Sequence, residues 1–183
     1  MATSAEQIHH GKLNLEAKAG PGVRLFIDLD LCDGGVCEGC EVQCSYFYHP
    51  ANNGVVSLAE LATYALVCRR CEEPQCITAC PFEALEHDRE RNNLLVRHSL
   101  RCVGCMSCSH ACPYGTLYPE HVPLLVHNCD FCADRREEEP LCVRSCPHGA
   151  LAVRRADQAP GENTFLVGDD LIVHSTHWMR ERA

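Results

Sequence analysis

Residues 102–113 read CVGCMSCSHACP and hold the clearest pattern in the chain. Their four cysteines are spaced C-x2-C-x2-C-x3-C, and a proline follows the last one. Three other groups of four cysteines end in the same C-x3-C spacing, so the four groups together use all 16 cysteines of the 183 residues. In chain order the groups are Cys32, Cys37, Cys40, Cys44; Cys68, Cys71, Cys76, Cys80; Cys102, Cys105, Cys108, Cys112; and Cys129, Cys132, Cys142, Cys146.

The second, third and fourth groups end in similar phrases: CPFEAL from residue 80, CPYGTL from residue 112 and CPHGAL from residue 146. A repeat of about thirty residues indicates one structural unit used several times. The second and fourth groups differ from the third in a longer gap before their third cysteine. The first group, CDGGVCEGCEVQC at 32–44, has two extra residues after its first cysteine and Ser45 in place of the proline.

The spacing of the third group is that of bacterial ferredoxin loops, which hold a [4Fe–4S] cluster and lend their fourth cysteine to a neighbouring cluster. By extension, the 16 cysteines predict four [4Fe–4S] clusters. Zinc held by four cysteines remains an alternative, because C-x2-C pairs are also typical of zinc sites. Disulfides are another, but they need an oxidising compartment. For the first group, Cys32, Cys37 and Cys40 also fit plant-type [2Fe–2S] spacing, although Cys44 follows sooner than that pattern requires.

Short apolar segments between the cysteine groups predict strands at 24–31, 93–100, 122–128 and 150–155. One longer helix is predicted from Ser57 to Cys68, since Ser57 and Glu60 have the spacing of a capping box. Pro81, Pro113 and Pro147 are predicted to begin short helices. Residues 157–164 are predicted to form a loop, and 165–183 a tail with one strand or helix. The predicted fold class is therefore α+β.

Composition excludes several functions. The formal net charge is −9 and the chain has two lysines, so nucleic acid is not an expected partner. No apolar run approaches the roughly 18 residues of a membrane span, and residues 1–20 have no export signal, which leads us to expect a cytoplasmic location. Dinucleotide, P-loop and zinc-protease motifs are absent and every cysteine belongs to a group, so we expect a protein that is not itself an enzyme.

The four groups within residues 24–155 make the chain similar to the four-cluster ferredoxin-like subunits of molybdenum and tungsten oxidoreductases and of hydrogenases. These are the electron-transfer partners in the dimethyl-sulfoxide reductase, formate dehydrogenase and aldehyde ferredoxin oxidoreductase families. The resemblance implies two fused ferredoxin-like modules with nested ligand pairing. The implied ligand sets are Cys32, Cys37, Cys40 with Cys146; Cys129, Cys132, Cys142 with Cys44; Cys68, Cys71, Cys76 with Cys112; and Cys102, Cys105, Cys108 with Cys80.

The same resemblance implies a domain plan. Residues 1–23 are expected to be an N-terminal extension, 24–155 the tandem ferredoxin-like domain and 156–183 a C-terminal tail for packing or docking. Within the tandem domain, the inner module would span about 64–120 and the outer module 24–50 plus 121–155.

The expected function is electron transfer through four [4Fe–4S] clusters to or from the catalytic subunit of a tungsten or molybdenum oxidoreductase. The unusual opening CEGCEVQCSYFYHP, residues 37–50, favours a tungsten aldehyde oxidoreductase, followed by a benzoyl-CoA reductase. A flavin or NAD subunit could complete the complex, and self-association is a further expectation. The alternatives are a hydrogenase or formate dehydrogenase subunit and, in another class, a zinc-binding interaction module.

Several arginines flank the cysteine groups and are predicted to tune cluster potentials or to dock partners, with solvated surface charge as the alternative. They are Arg69, Arg70, Arg101, Arg135, Arg136 and Arg144.

Overall fold

The fold is known from a computed structural model, which describes residues 22–33, 37, 42–44, 52–117, 127, 129–132, 139–158, 161–168 and 170–176. The helices are α1 (Leu29–Asp33), α2 (Gly54–Val67), α3 (Gln75–Thr78), α4 (Ser107–Ala111) and α5 (Leu141–Ser145). The strands are β1 (Val23–Asp28), β2 (Leu85–Asp88), β3 (Leu94–Arg97), β4 (Leu151–Arg155), β5 (Thr164–Val167) and β6 (Leu171–His174). Helices and strands together confirm the predicted α+β class.

Four strands form the main sheet, in the order β4-β1-β6-β5. Strand β1 runs antiparallel to β4, with Val23 opposite Arg155, and parallel to β6, with Leu25 opposite Leu171. Strand β5 closes the other edge, antiparallel to β6. The segment near the beginning of the chain therefore pairs with segments more than a hundred residues away.

The region predicted as a tail contributes two of these strands. The prediction of one strand or helix at 165–183 was wrong in this respect, because β5 and β6 form a hairpin that turns at Gly168, whose φ is +59°. Leu171, Ile172 and Val173 are all fully buried. Such a continuous apolar run is typical of a central strand that is covered on both faces.

Helix α2 begins three residues before the predicted start. Its N-cap is Asn53, whose side chain accepts a hydrogen bond from the Val55 N–H, and not Ser57. The Ser57 hydroxyl instead donates to the Gly54 carbonyl, and Glu60 is buried rather than turned back to form a capping box. The helix ends at Val67, so the next residue, Cys68, lies at the edge of the core.

Strand β1 ends at Asp28, earlier than the predicted 24–31, because the Asp28 carboxylate caps α1. It accepts hydrogen bonds from the Asp30 and Leu31 N–H groups at 3.1 and 3.2 Å. The Asp30 carboxylate in turn accepts from the Thr176 N–H and hydroxyl and from the Ser175 hydroxyl. These bonds fasten α1 to the end of β6.

Strands β2 and β3 form a separate hairpin with Leu85 opposite Arg97. The sequence prediction missed β2, whose residues LEHD are mostly polar, and made β3 longer than it is. Strand β4 occupies 151–155, close to its predicted span, whereas nearly all of the predicted strand at 122–128 lies outside the described residues.

Pro81, Pro113 and Pro147 do not begin helices, contrary to the prediction. Each lies in a turn closed by an N–H to carbonyl bond from the residue three positions after the cysteine: Glu83 to Cys80, Gly115 to Cys112 and Gly149 to Cys146. These three donors have positive φ, between +50° and +64°. A left-handed residue stops a helix and reverses the chain, so each cysteine is followed by a turn into the next segment.

The main core lies between one face of the sheet, helix α2 and the hairpin. Val23, Leu25 and Ile27 alternate along β1 and pack there with residues of α2 and β3. Among the described residues, eight partly buried cysteines are packed against this core: Cys32, Cys68, Cys76, Cys102, Cys112, Cys129, Cys142 and Cys146. In the part of the chain that the structure describes, no helix has the length and apolarity needed to cross a lipid bilayer.

Candidate metal centres

Two cavities beside the hairpin are each lined by four cysteines. The Cys102 cavity is lined by Cys80, Cys102, Cys105 and Cys108. The Cys68 cavity is lined by Cys68, Cys71, Cys76 and Cys112. In each case three cysteines come from one group and the fourth comes from the other group. This arrangement is the one that nested pairing requires for these two sets.

Helices α3 and α4 place the fourth cysteine of each group in the cavity of the other group. Each is a single turn that carries the third cysteine of its group, Cys76 in α3 and Cys108 in α4. The chain then leaves the helix and places the fourth cysteine, Cys80 or Cys112, in the opposite cavity. The two helices pack against each other, so the cavities are neighbours.

In each C-x2-C pair, the residue directly before the second cysteine has a left-handed backbone conformation in all three groups where it is described. Arg70 and Phe131 have a φ of +52°, and Gly104 has a φ of +69°. This conformation turns the backbone N–H toward the first sulfur of the pair, as in the Arg70 N–H to Cys68 Sγ contact of 3.5 Å. Backbone donors to sulfur are typical of loops that hold anionic clusters.

A second set of hydrogen-bond donors contacts the sulfur of the fourth cysteine in the second and third groups. After the turn at each proline, the N–H of Ala84 lies 3.3 Å from the Cys80 sulfur. At Cys112, burial raises the pKa, but hydrogen bonds from the N–H groups of Tyr114, Thr116 and Leu117 and from the Thr116 hydroxyl lower it below the ordinary value. The donors of the turn therefore favour the thiolate form of Cys112.

A third set of cysteines lies near α5. Cys44, Cys132 and Cys142 are close enough to Cys129 to act on its pKa, which burial raises well above the ordinary value. The Gln43 N–H donates to the Ser145 hydroxyl at 3.0 Å, which ties the end of the first cysteine group to the fourth group. The Asn52 side chain donates to the Cys44 sulfur at 3.3 Å. Cys44 therefore lies with the sulfurs that nested pairing assigns to it.

The fourth set is described only in part. Cys32 and Cys146 both pack against the main core, and Cys37 is half-buried, whereas Cys40 lies outside the described residues. Among the arginines singled out in the sequence, Arg135 and Arg136 also lie outside them. The exposed Arg69 covers the Tyr114 ring at 5.4 Å, Arg101 donates to the Glu83 carbonyl, and Arg144 is exposed on α5.

The chemistry of these cavities fits metal clusters. Burial, and then the nearby Cys112 and Cys68 sulfurs, raise the pKa of Cys76 to about 11. Burial, with Cys132 and Cys44, raises the pKa of Cys142 to about 12. Thiolates are the form that binds metal, and several of them in one apolar cavity are stable only beside compensating positive charge, which a metal centre supplies.

An ion pair that the sequence did not reveal lies beside the Cys102 cavity. Arg97 lines the cavity, and its guanidinium interacts electrostatically with the Cys102 sulfur. Its Nε and Nη2 donate to the two carboxylate oxygens of Glu60 at 2.5 and 2.6 Å, and the Tyr64 hydroxyl donates to Glu60 at 2.7 Å. The Arg97 and Glu60 side chains are 3% and 8% exposed, so this is a buried ion pair.

Paired cavities of four cysteines on short loops define a class of protein, the ferredoxin-like carriers of iron–sulfur clusters. The chain matches the family model described as "4Fe-4S dicluster domain" over residues 59–156, a range that includes both cavities, and it belongs to that family. The resemblance seen in the sequence is thereby confirmed.

Individual relatives agree with the family. The chain is 35% identical over 147 residues to the B subunit of the anaerobic dimethyl sulfoxide reductase of Escherichia coli (strain K12), covering 69% of this chain and 70% of that subunit. It is 35% identical over 149 residues to YnfG, a probable anaerobic dimethyl sulfoxide reductase subunit of the same strain, with 69% and 70% covered. It is 32% identical over 142 residues to the putative electron transport protein YsaA, also of that strain, with 69% and 86% covered.

Proposed function

We propose that the protein is the electron-transfer subunit of an oxidoreductase complex and that its 16 cysteines hold four [4Fe–4S] clusters in two fused modules. The observation that carries the proposal is the pair of neighbouring cavities, each lined by four cysteines drawn from two groups. A [4Fe–4S] cluster supplies a one-electron redox centre when it is bound. The chain's part is to hold such centres close together and to stabilise their charge.

Three ligand sets are supported by contacts between described residues: those of the Cys102 cavity, the Cys68 cavity and the group around Cys129. The fourth set, Cys32, Cys37, Cys40 and Cys146, completes the proposal by the same nested rule. The inner module of about 64–120 then contains both cavities, and the outer module of 24–50 plus 121–155 contains the other two sets. Within the outer module, the pairing of β1 with β4 joins its two separate segments.

One end of the proposed relay is open to a partner. Cys105 is exposed, and the exposed side chains of Phe82, Val103 and Met106 line the same cavity. A centre at this edge would lie near the protein surface, where an electron can pass to another subunit without a long hop.

The catalytic partner is proposed to be a molybdenum or tungsten oxidoreductase. The names of two relatives favour a reductase of the dimethyl-sulfoxide type. The opening CEGCEVQCSYFYHP favours a tungsten aldehyde oxidoreductase, with a benzoyl-CoA reductase next. The proposed location is the cytoplasm, in a complex that includes a catalytic subunit and a further redox acceptor.

The first experiment is to measure iron and acid-labile sulfide in protein purified without oxygen. Four [4Fe–4S] clusters require about sixteen iron atoms per chain, with visible absorption that bleaches under dithionite. About eight iron atoms per chain would restrict the clusters to two of the four sets, and zinc without sulfide would contradict the proposal. Analysis of the co-purified complex for tungsten, molybdenum and nickel then distinguishes among the candidate partners.

A further inference from the structure

A buried ion pair lies beside one of the two proposed inner centres. Arg97 ends β3 and lies in the wall of the Cys102 cavity, where its guanidinium interacts electrostatically with the Cys102 sulfur. Arginine keeps its charge at every pH a protein meets. The wall of the cavity therefore contains a fixed positive charge near one of the four sulfurs.

The partner of Arg97 lies on the side away from the sulfur. Glu60 projects from α2 and binds the guanidinium through both carboxylate oxygens, at 2.5 and 2.6 Å. Glu60 does not line the cavity, and Tyr64 from the next turn of α2 donates to it at 2.7 Å. The ion pair is neutral overall, but it presents its positive end to the cysteines and its negative end to the helix.

The orientation of this ion pair has an electrostatic consequence. Reduction adds one electron to a centre that is already anionic with four thiolates, and charge and hydrogen bonds near the sulfurs set the potential. A cation in the cavity wall, in a low-dielectric setting, stabilises the reduced form more than a carboxylate farther away destabilises it. Removing either charge should therefore move the potential, and the two shifts should have opposite signs.

We propose that Arg97, oriented by Glu60 and Tyr64, raises the reduction potential of the centre held by Cys80, Cys102, Cys105 and Cys108. Arg97 is a positioning and tuning residue, and it is not itself a ligand. The inference rests on the proposed function, since it requires a cluster in the Cys102 cavity.

The test is a redox titration of the loaded full-length protein, purified with its accompanying subunits and followed by electron paramagnetic resonance. The signal of this centre is assigned with Cys105→Ser, because Cys105 lines only this cavity among the two described. Arg97→Met should lower its potential, by at least a tenfold change in the reduction equilibrium, which is about 59 mV for one electron. Glu60→Gln should shift the same centre upward.

The matched control is Arg91→Met. Arg91 also forms an ion pair, with Asp170 at 3.2 Å and Asp88 at 3.4 Å, but it lines neither cysteine cavity. Its loss should leave the potential of the Cys105 centre almost unchanged. Arg97→Lys keeps the charge and should give a potential between those of the wild type and Arg97→Met, which tests the inference even if the methionine variant fails to fold.

A purely structural role for Arg97 predicts another result. Arg97→Met and Glu60→Gln would then both reduce stability, while the potential of the centre would not move or would move in one direction for both. Either outcome would overturn the inference. If the protein contains its clusters but the potential is the same in the wild type and in Arg97→Met, the inference fails and the proposed function stands. If the purified protein contains neither iron nor sulfide, both the proposed function and this inference fail.

Discussion

The Cys102 and Cys68 cavities share a ligand frame but differ in what faces their sulfur atoms. The β2–β3 hairpin offers one residue pair to each: Leu85 and Arg97 to the first, Leu95 and His87 to the second. Burial and the Arg70 guanidinium lower the pKa of His87, which favours its neutral imidazole. At these hairpin positions the Cys102 cavity has a buried cation and the Cys68 cavity has an imidazole, while the exposed Arg69 lines the Cys68 cavity from the second cysteine group.

The Cys68 cavity has its own means of stabilising negative charge. The Cys112 sulfur receives several N–H bonds and a hydroxyl bond from residues 114–117. The Cys102 cavity combines its cation with an exposed cysteine and apolar side chains at its rim. A duplicated cysteine frame therefore defines where two centres lie, while single side chains on the shared hairpin differentiate them.

The largest effects are expected from substitution of the cysteine ligands, and these variants also test the exchange of fourth cysteines between the two cavities. We expect Cys112→Ser to alter the same resonance signal as Cys71→Ser, and Cys80→Ser the same signal as Cys105→Ser, because each pair shares a cavity. Each variant should lose up to about four iron atoms per chain. Iron analysis and electron paramagnetic resonance of the four variants measure this. If Cys112→Ser instead matched Cys105→Ser, the pairing would be sequential and the two cavities would not exchange ligands.

Next in size is the loss of Glu60. Glu60→Ala leaves the Arg97 guanidinium buried without its counter-ion, and breaking a buried pair in this way costs about 3–5 kcal/mol. Denaturant unfolding of the loaded protein without oxygen measures the change.

Asp157→Ala provides the control for this loss. It breaks an ion pair with Arg155 whose side chains are 49% and 67% exposed, so its effect should stay below about 1 kcal/mol. Equal losses in the two variants would show that the Arg97 pair is no more important to the fold than a surface pair.

The cysteine frame was visible in the sequence because ligand spacing is local. The spacings within the C-x2-C and C-x3-C pairs repeat along the chain, so the groups could be counted and the family recognised from residues 102–113 and their repeats. The exchange of Cys80 and Cys112 was not derivable from spacing. It depends on two helical turns packing side by side, which is a tertiary contact.

The sequence also concealed Arg97 and the true role of Glu60. Glu60 stands three residues after Ser57, and this local pattern predicted a capping box. In the structure Glu60 instead pairs with Arg97 of β3, thirty-seven residues away. A carboxylate buried on the inner face of α2 requires a cation. The available signal was a glutamate on the apolar face of a helix, between Val55, Leu58, Ala62 and Ala65.

Removal of the Tyr64 hydroxyl tests the same network more gently. Tyr64→Phe keeps the buried ring but deletes a 2.7 Å hydrogen bond to Glu60, which is still held by Arg97. Bonds to a charged group contribute about 1.5–3 kcal/mol, so we expect a loss of about 1.5 kcal/mol. Tyr114→Phe, on a side chain of a residue that is 60% exposed, should change stability by less than about 0.5 kcal/mol. A Tyr64→Phe variant as stable as Tyr114→Phe would mean that Arg97 alone is sufficient to hold Glu60.

The smallest difference between the two cavities lies in the turns after their fourth cysteines. Glu83 and Gly115 occupy the same left-handed position, with φ values of +50° and +64°. An added Cβ at Gly115 meets nothing within 4 Å, so Gly115→Ala should cost only the conformational penalty, about 1 kcal/mol. At Glu83 the penalty is already present, and Glu83→Gly should stabilise the protein by about 0.5 kcal/mol once the greater chain entropy of glycine is subtracted. Shifts of opposite sign in denaturant unfolding would show that the turns are equivalent. A loss of stability in both variants would show that the Glu83 side chain stabilises the turn beside the Cys102 cavity. Gly115 has no side chain that could do the same beside the Cys68 cavity.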